Sequence, residues 1–210
     1  ALAAVAVTGQ WGSTVPVDED GEAVGDCLLW MDTRGGDLAR RALGGRVSVE
    51  STPESHILRG TDFEVRIGRA SGVVEAWSVK GRAILRAPLV PNYWRAPTDN
   101  DRGNKMPEWA AVWRDAAAKR VAERCEVSDR TETSAAVIAE LRLPAGESRA
   151  RYAYVVHGSG AIEIETFFEP MGAKLPVVPR VGLLTELAPD WTNVAWYGRG
   201  PHECYWDRKS

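Results

Sequence analysis

The chain of 210 residues lacks the features that mark several large classes of protein. Its net charge is −3, so it has no excess of Lys and Arg of the kind that binds nucleic acid. No apolar run approaches the roughly 18 residues that a membrane-spanning helix needs. The sequence contains no GxSxG, P-loop or HExxH motif. These absences argue against a nucleic-acid-binding protein, a membrane protein and several common enzyme classes.

Cysteine is also scarce. Cys27, Cys125 and Cys204 are odd in number, widely spaced and free of CxxC or CxxH patterns, which argues against a disulfide framework or a zinc site. We therefore expect reduced thiols and a cytoplasmic location. The opening ALAAVAV is too short and too poor in basic residues for a signal peptide, and the missing initiator Met suggests a fragment.

What is present is an ordinary globular composition, with 44% apolar and 26% charged residues. The first fifty residues interleave short apolar runs, LAAVAVTGQ and CLLWMD, with a short helix pattern, GGDLARRALGG. This pattern is typical of a small α/β piece. The polar, weakly patterned residues 48–60 are the best candidate boundary, so we predict domains at 1–50 and 51–210.

From about residue 62 the apolar period changes to two. The segment DFEVRIGRASGVVEAWSVKGRAIL and three later segments alternate apolar and polar residues between Gly and Pro turns, which predicts antiparallel strands. One helix is expected at 106–124, with Pro107 in its first turn. Its apolar face should contain Trp109, Val112, Trp113 and Ala116. The predicted fold is mainly β, as an antiparallel sandwich with one helix.

The segment NYWRAPTDNDRG, residues 92–103, combines aromatic rings with carboxylates, as sugar-binding sites do. Asp99 and Asp101 are too close in sequence to face each other across a glycosidic bond, so we do not expect a catalytic pair. The open alternatives are a polar turn that braces itself, a loop that also borders a sugar site, and a metal site. We expect Arg95 to pair with a carboxylate, and Asp99 and Asn100 to supply the acceptors of the turn.

Other candidates have simpler interpretations. Glu163 and Glu165 alternate with apolar residues on one strand, which is typical of a solvated face. His56 and His157 have no partner at the spacing of metal ligands. His202 and Glu203 follow glycines and a proline, which favours a structural corner. The nine tryptophans suit a sugar-handling protein, but Trp is also a core residue.

Two of these motifs carry a resemblance to a known family. LVPNYWRAPTDNDRG, the Trp-rich EWAAVWRDAA and the later VAWYGRGPHECYWDRKS resemble the C-terminal, small-chain β-sandwich of family-2 β-galactosidases, over about residues 55–210. The resemblance implies a supersandwich of the galactose-mutarotase type, incomplete at Ser210. It also implies a loop near the mouth of the active site, with catalytic glutamates and metal ligands in a separate TIM barrel. Trp206 departs from the proline expected there. The residues that carry the implied roles are Trp94, Arg95, Asp99, Asn100 and Asp101 in the loop, and Gly200, His202, Glu203, Asp207 and Arg208 in the corner motif.

The first part of the chain is similar to another family. AVAVTGQWGSTVPVDEDGEAVGDCLLWMDTRGG, within residues 3–45, resembles the N-terminal domain of FGGY carbohydrate kinases of the xylulokinase type. In that family the corresponding segments shape the sugar pocket, which implies a sugar-contacting role for Gln10, Trp30, Asp32 and Arg34. The chain would then be a chimera of two fragments.

Together the resemblances imply an accessory, non-catalytic portion of a β-galactosidase that needs no cofactor or metal of its own. The alternatives are a stand-alone carbohydrate-binding module and a residual sugar kinase. The expected ligand is a galactoside, bound through the complete enzyme. We expect neither a nucleic-acid nor a membrane partner. Strand edges left open by the truncation predict that an oligomer, if one forms, pairs those edges.

Overall fold

The protein is described here from a computed structural model. The structure describes residues 44–172 and 174–193 and, beyond these, the backbone of four two-residue strands. The chain divides into two compact units, one formed by residues 45–190 and the other by residues 1–44 with 191–210. In the part of the chain that is described, no helix is long and apolar enough to cross a membrane.

In the second unit, the structure describes four short strands. They are β1 (Val5–Ala6), β2 (Ser13–Thr14), β3 (Leu28–Leu29) and, late in the chain, β15 (Trp196–Tyr197). Strand β2 pairs antiparallel with β3, and β1 pairs parallel with β15. Strands β1 and β3 lie within apolar runs that the sequence predicts as strands. The predicted helix around GGDLARRALGG lies outside the described residues.

The unit of residues 45–190 is mainly β, as predicted, and contains two antiparallel sheets. The strands of the larger sheet are β4 (Ser48–Ser51), β5 (Ser55–Arg59), β6 (Phe63–Gly68), β7 (Val74–Val79), β8 (Arg82–Ala83), β9 (Leu85–Asn92) and β14 (Gly182–Leu187). They follow the order β14-β9-β7-β6-β5-β4, and β8 pairs with β7. The four-stranded sheet runs in chain order through β10 (Val121–Arg130), β11 (Ser134–Leu143), β12 (Ser148–His157) and β13 (Ile162–Glu169).

The two sheets enclose one apolar core. Strand β11 alternates without exception, and every second residue from Ala135 to Leu143 is buried. Buried residues of both sheets, including Leu58, Val65 and Tyr154, belong to the same cluster. His56 on β5 also links the sheets, because its Nε2 lies 3.0 Å from the carbonyl oxygen of Cys125 on β10. Period-two burial on both sheets therefore builds the sandwich that the sequence predicts.

Residues 48–60, predicted as a boundary because of their weak pattern, form the hairpin of β4 and β5. Ser48 pairs with Arg59, and Ser51 pairs with His56, whose Nδ1 lies 2.8 Å from the Ser51 hydroxyl. This segment is thus part of the larger sheet. The domain division at residue 50 stays a prediction.

The prediction of a single helix at 106–124 is wrong in the length of the helix and in the residues it buries, because Trp109 and Val112 are exposed. The structure has helix α1 (Asp99–Gly103), helix α2 (Met106–Trp109) and a 3₁₀ turn at Ala111–Trp113, and β10 begins at Val121. Backbone bonds from Trp113 to Ala110 and from Ala116 to Trp113 span three residues, so a period near three places these residues on one side. Burial of Trp113, whose indole N–H donates to the Pro176 carbonyl at 3.0 Å, outweighs the helix propensity of the alanines.

Candidate functional site

The candidate site is the polar loop, defined as residues 94–103, which leaves the larger sheet at the end of β9. The residue that precedes it, Tyr93, is buried and packs against Phe168, with ring centroids 4.9 Å apart and the ring planes tilted by 34°. The Tyr93 hydroxyl lies 3.2 Å from that of Tyr152 on β12. The Tyr93 ring also lies 6.3 Å from that of Trp113. The polar loop therefore starts from a fixed point in the core.

A reciprocal pair of hydrogen bonds forms the turn within the loop. The Thr98 backbone N–H donates to Oδ2 of Asp101 at 3.0 Å, and the Asp101 backbone N–H donates to Oγ1 of Thr98 at 3.3 Å. This is a capping box, with Thr98 as the N-cap of α1 and Asp101 at its third position. The sequence contains the signal for it, because TDND matches the T-x-x-D pattern. We predicted an Asx-type turn instead and did not single out Thr98.

Arg95 pairs with a carboxylate, as predicted. Its Nη2 donates to Oδ1 of Asp101 at 2.7 Å, and the Asp101 side chain is only 7% exposed. The contact is a single hydrogen bond and not the bidentate one that a guanidinium favours, because Oδ2 accepts from Thr98. The Thr98 hydrogen bonds, with the Arg95 charge, hold the pKa of the Asp101 carboxyl below its usual value. The Nε atom of Arg95 is buried without a hydrogen-bond partner among the described residues.

Asp99 plays no part in bracing the turn, contrary to our prediction. Its side chain is fully exposed and lies 3.3 Å from the Arg102 guanidinium. Asn100 is also exposed, and its backbone carbonyl, not its side chain, accepts the N–H of Asn104 at 3.0 Å. Thus Asp101 is engaged within the loop while Asp99 and Asn100 face solvent. The structure brings Asp99 and Asp101 together in one short helix but does not arrange them as opposing carboxylates.

Trp94, the first residue of the loop, is half-buried. Its backbone N–H donates to Oδ1 of Asn92, and its ring packs against the core. The guanidinium carbon of Arg114 lies 4.8 Å from the centroid of the Trp94 ring, as in a cation–π contact. Arg114 also donates from Nη2 to the Pro107 carbonyl at 3.1 Å. Arg114 therefore links the polar loop to α2.

Several predicted site residues lie outside the described residues. They are the corner motif Gly200, His202, Glu203, Asp207 and Arg208, and the kinase-like set Gln10, Trp30, Asp32 and Arg34. Of the other candidates, Glu163 and Glu165 are exposed on β13, which confirms the solvated face. His157 lies 3.6 Å from Glu163.

Away from the loop, a cavity of about 470 Å³ is lined by charged residues such as Arg69 and Glu126 and by Cys125. Burial raises the pKa of the Cys125 thiol to about 11, so it is protonated and unreactive at neutral pH. Among residues 44–172 and 174–193, no three His, Cys, Asp or Glu side chains cluster closely enough to hold a metal ion.

Comparison with known proteins identifies the family. A family model described as "Beta galactosidase small chain" matches residues 59–210, which include the polar loop and both sheets except β4 and most of β5. Curated relatives named beta-galactosidase include one from Priestia megaterium, 29% identical over 78% of this chain, and one from Vibrio cholerae, 32% identical over 68%. A third, from Klebsiella pneumoniae, is 31% identical over 69% of this chain.

The matches cover only a small part of those relatives. The aligned region amounts to 16% of the Priestia megaterium protein and to 15% of the Vibrio cholerae and Klebsiella pneumoniae proteins. The kinase resemblance of residues 3–45 receives no support from these matches, whose family model begins at residue 59. By its matched residues and its antiparallel β-sandwich, the chain belongs to the β-galactosidase small-chain family.

Proposed function

We propose that this chain is an accessory β-sandwich portion of a β-galactosidase, and that its polar loop borders the galactoside site of the complete enzyme. The proposal rests on the different roles of the side chains within the loop. Thr98 and Asp101 use their side chains to hold it, while Asp99 and Asn100 are left exposed. A loop fixed in this way offers polar side chains to a sugar without having to fold around it.

Hydrolysis itself is assigned to other parts of the longer protein. A glycosidase needs two carboxyl groups on opposite sides of the scissile bond. In the loop, both oxygens of Asp101 already accept hydrogen bonds, and Asp99 is two residues away on the same short helix. A catalytic barrel alone takes about 250 residues. The role proposed for the loop is therefore to contact substrate, not to act as acid or nucleophile.

A domain exchange tests this proposal. Residues 59–210 replace the corresponding segment of the Priestia megaterium β-galactosidase, with and without Asp99→Ala and Asn100→Ala, and nitrophenyl-galactoside hydrolysis is measured. We expect each substitution to raise KM about threefold or more and to change kcat by less than about twofold, as for a binding contact. The matched control is Glu165→Ala, which removes an exposed carboxylate from β13. Unchanged KM in both loop variants contradicts the proposal.

A carbohydrate-binding module is the second candidate, favoured by the exposed aromatic ring of Trp109. This activity would need no barrel, and it predicts that the chain binds galactosides alone. Galactoside binding without hydrolysis by the isolated chain supports this candidate. Hydrolysis by the isolated chain contradicts both.

We further propose that the chain is a chimera whose residues 3–45 derive from a kinase-like segment. Sugar-dependent ATP turnover that Asp32→Ala abolishes would favour a residual sugar kinase. A cytoplasmic location fits the three unpatterned cysteines.

Self-association through strand edges is supported by the exposed leucines Leu184 and Leu187 of edge strand β14. Sedimentation of the chain with Leu184→Lys tests that last point, since the charge should remove an edge-paired dimer.

A further inference from the structure

One histidine of the larger sheet is hydrogen-bonded at both ring nitrogens. His56 on β5 is only 4% exposed, and its Nε2 lies 3.0 Å from the backbone carbonyl oxygen of Cys125 on β10. A carbonyl oxygen only accepts hydrogen bonds, so in the neutral ring Nε2 carries the proton and Nδ1 is left as the acceptor. The fold thus fixes both the tautomer and the orientation of this imidazole.

The atom that faces Nδ1 is the hydroxyl oxygen of Ser51. The two atoms are 2.8 Å apart, and because Nδ1 is the acceptor, the Ser51 hydroxyl donates this bond. Ser51 is the last residue of β4, lies directly opposite His56 in the hairpin and is exposed. A serine hydroxyl, an imidazole that accepts its proton and a third group that orients the ring are the elements of an activated nucleophile.

The turn between β4 and β5 also holds a positive charge. The Arg69 backbone N–H donates to the Glu54 carbonyl at 2.8 Å, and its Nη1 donates to the Thr52 carbonyl at 3.2 Å. Both acceptors are uncharged carbonyl oxygens, so neither bond neutralises the guanidinium. A fixed cation of this kind stabilises negative charge that develops on a reacting oxygen.

A cavity lies against the same turn. Its volume is about 470 Å³, and Pro53 of the turn, Arg69 and Cys125 are among the residues that line it. Cys125 is also the residue whose carbonyl orients His56. The volume is in the range of sites that hold small molecules. The nucleophile, its base, a cation and a space for a reactant therefore meet at one end of the β4–β5 hairpin.

We propose that Ser51 and His56 form a nucleophile–base pair that hydrolyses small carboxylic esters, an activity separate from the galactoside role of the polar loop. Ser51 Oγ attacks the carbonyl carbon of the ester, and its proton moves to Nδ1 of His56. The C–O bond to the alcohol then breaks, and the alcohol leaves with that proton. Water, deprotonated in turn by Nδ1, attacks the acyl-serine, which releases the carboxylic acid and restores the Ser51 hydroxyl.

Two further groups support these steps. The Cys125 carbonyl is a positioning group, in the place that a carboxylate takes in a Ser-His-Asp triad, and it accepts from Nε2 of both the neutral and the protonated ring. Arg69 supplies positive charge for the oxyanion of each tetrahedral intermediate. Because the ring is buried and bonded at both nitrogens, the pair needs no rearrangement before it reacts.

Hydrolysis of 4-nitrophenyl acetate by the whole chain, measured as release of 4-nitrophenol above the rate in buffer, tests the proposal. His56→Gln removes the base and should lower the catalysed rate about a hundredfold or more. Ser51→Ala removes the nucleophile and should lower it at least as much. The matched control is Ser48→Ala. It removes another exposed hydroxyl of β4, one that donates to the Arg59 carbonyl at 3.3 Å, and should leave the rate unchanged.

A second measurement identifies the reacting oxygen. Diisopropyl fluorophosphate phosphorylates activated serines with loss of fluoride, so peptide mass spectrometry should find the label on Ser51 and on no serine of the Ser51→Ala variant. A rate no higher than that in buffer, a rate that Ser51→Ala leaves unchanged, or a chain unlabelled at Ser51 overturns the proposal. His56 also links the two sheets, so its loss can weaken the fold, and the exposed Ser51 is therefore the deciding position.

Discussion

The tyrosines that support the polar loop make the domain sensitive to alkaline pH. Tyr93, Tyr152 and Tyr154 are all buried, and the Tyr154 hydroxyl donates to the Gly72 carbonyl at 3.2 Å. Burial raises the pKa of each of the three hydroxyls above its usual value, and it outweighs the opposing charge of Arg120. The folded state thus holds three phenolic protons that the unfolded chain releases at lower pH.

The sign and size of the effect follow from proton linkage. Above the ordinary tyrosine pKa of about 10, the unfolded state binds fewer protons than the folded state, so the free energy of unfolding falls as pH rises. At about pH 11, one unit above that value, Tyr93 and Tyr154 should each lower stability by about 1.4 kcal/mol, or about 3 kcal/mol together, and Tyr152 adds to the loss in the same direction. Below pH 9 their contribution should be constant. A loss of about 3 kcal/mol is a large fraction of the stability of an ordinary domain.

Urea unfolding between about pH 7 and pH 11, followed by tryptophan fluorescence, measures this loss. Tyr154→Phe lowers stability at neutral pH, because it removes a buried hydrogen bond worth about 1 kcal/mol. It should also make the alkaline loss smaller by about 1.4 kcal/mol, because the raised pKa of Tyr154 is gone. Tyr93→Phe should act in the same way. An alkaline loss of unchanged size in both variants would refute the role of the buried tyrosines.

Three further predictions concern the loop and its support. Thr98→Ala removes the N-cap of α1 and should cost about 1 kcal/mol by urea unfolding, whereas Asp99→Ala should leave the midpoint unchanged because its side chain is fully exposed. Asp101→Asn should reduce the acid sensitivity of the fold. Because the pKa of Asp101 is lowered in the folded state, its ionised carboxylate stabilises the fold above the ordinary aspartate pKa of about 3.9, and this stabilisation is lost as pH falls. The amide of Asn does not titrate, so the variant lacks this pH-dependent contribution. Identical acid transitions for wild type and Asp101→Asn would contradict this. Trp113→Phe should cost about 2 kcal/mol or more, because it leaves a cavity and an unpaired Pro176 carbonyl, and a cost below about 0.5 kcal/mol would contradict that packing.

The sheets were largely predictable because their signal is local. Alternation alone locates β6, β7, β11, β12, β13 and β14, and HGSG gives the turn between β12 and β13. At that turn Gly160 has φ +88°, and an added Cβ on Gly158 would collide with the Gly45 backbone. The glycines therefore mark a true constraint of the chain, visible in sequence before the fold is known.

The helix prediction failed because its evidence was also local. VAERCEVSDR, strand β10, is rich in residues that favour helices, and its first four residues extend the preceding alanines. Its strand conformation comes from pairing with β11, where Cys125 lies opposite Ala139, and from the bond between His56 and the Cys125 carbonyl. Those partners are 14 and 69 residues away. A short sequence window does not include these partners, so a prediction from helix propensity alone gives the wrong secondary structure.

The candidate site was predictable in its chemistry and less so in its division of roles. The sequence identified Arg95 as the partner of a carboxylate. Whether that carboxylate belongs to Asp99 or Asp101 depends on which of the two side chains accepts the Thr98 backbone N–H, and in the structure it is Asp101. This hydrogen bond distinguishes Thr98 and Asp101, which stabilise the loop, from Asp99, whose side chain is exposed on its surface. Changing Thr98 or Asp101 alters the shape of the loop and its stability together. Changing Asp99 alters only the exposed surface, so the residue at this position can vary while the fold of the domain stays the same.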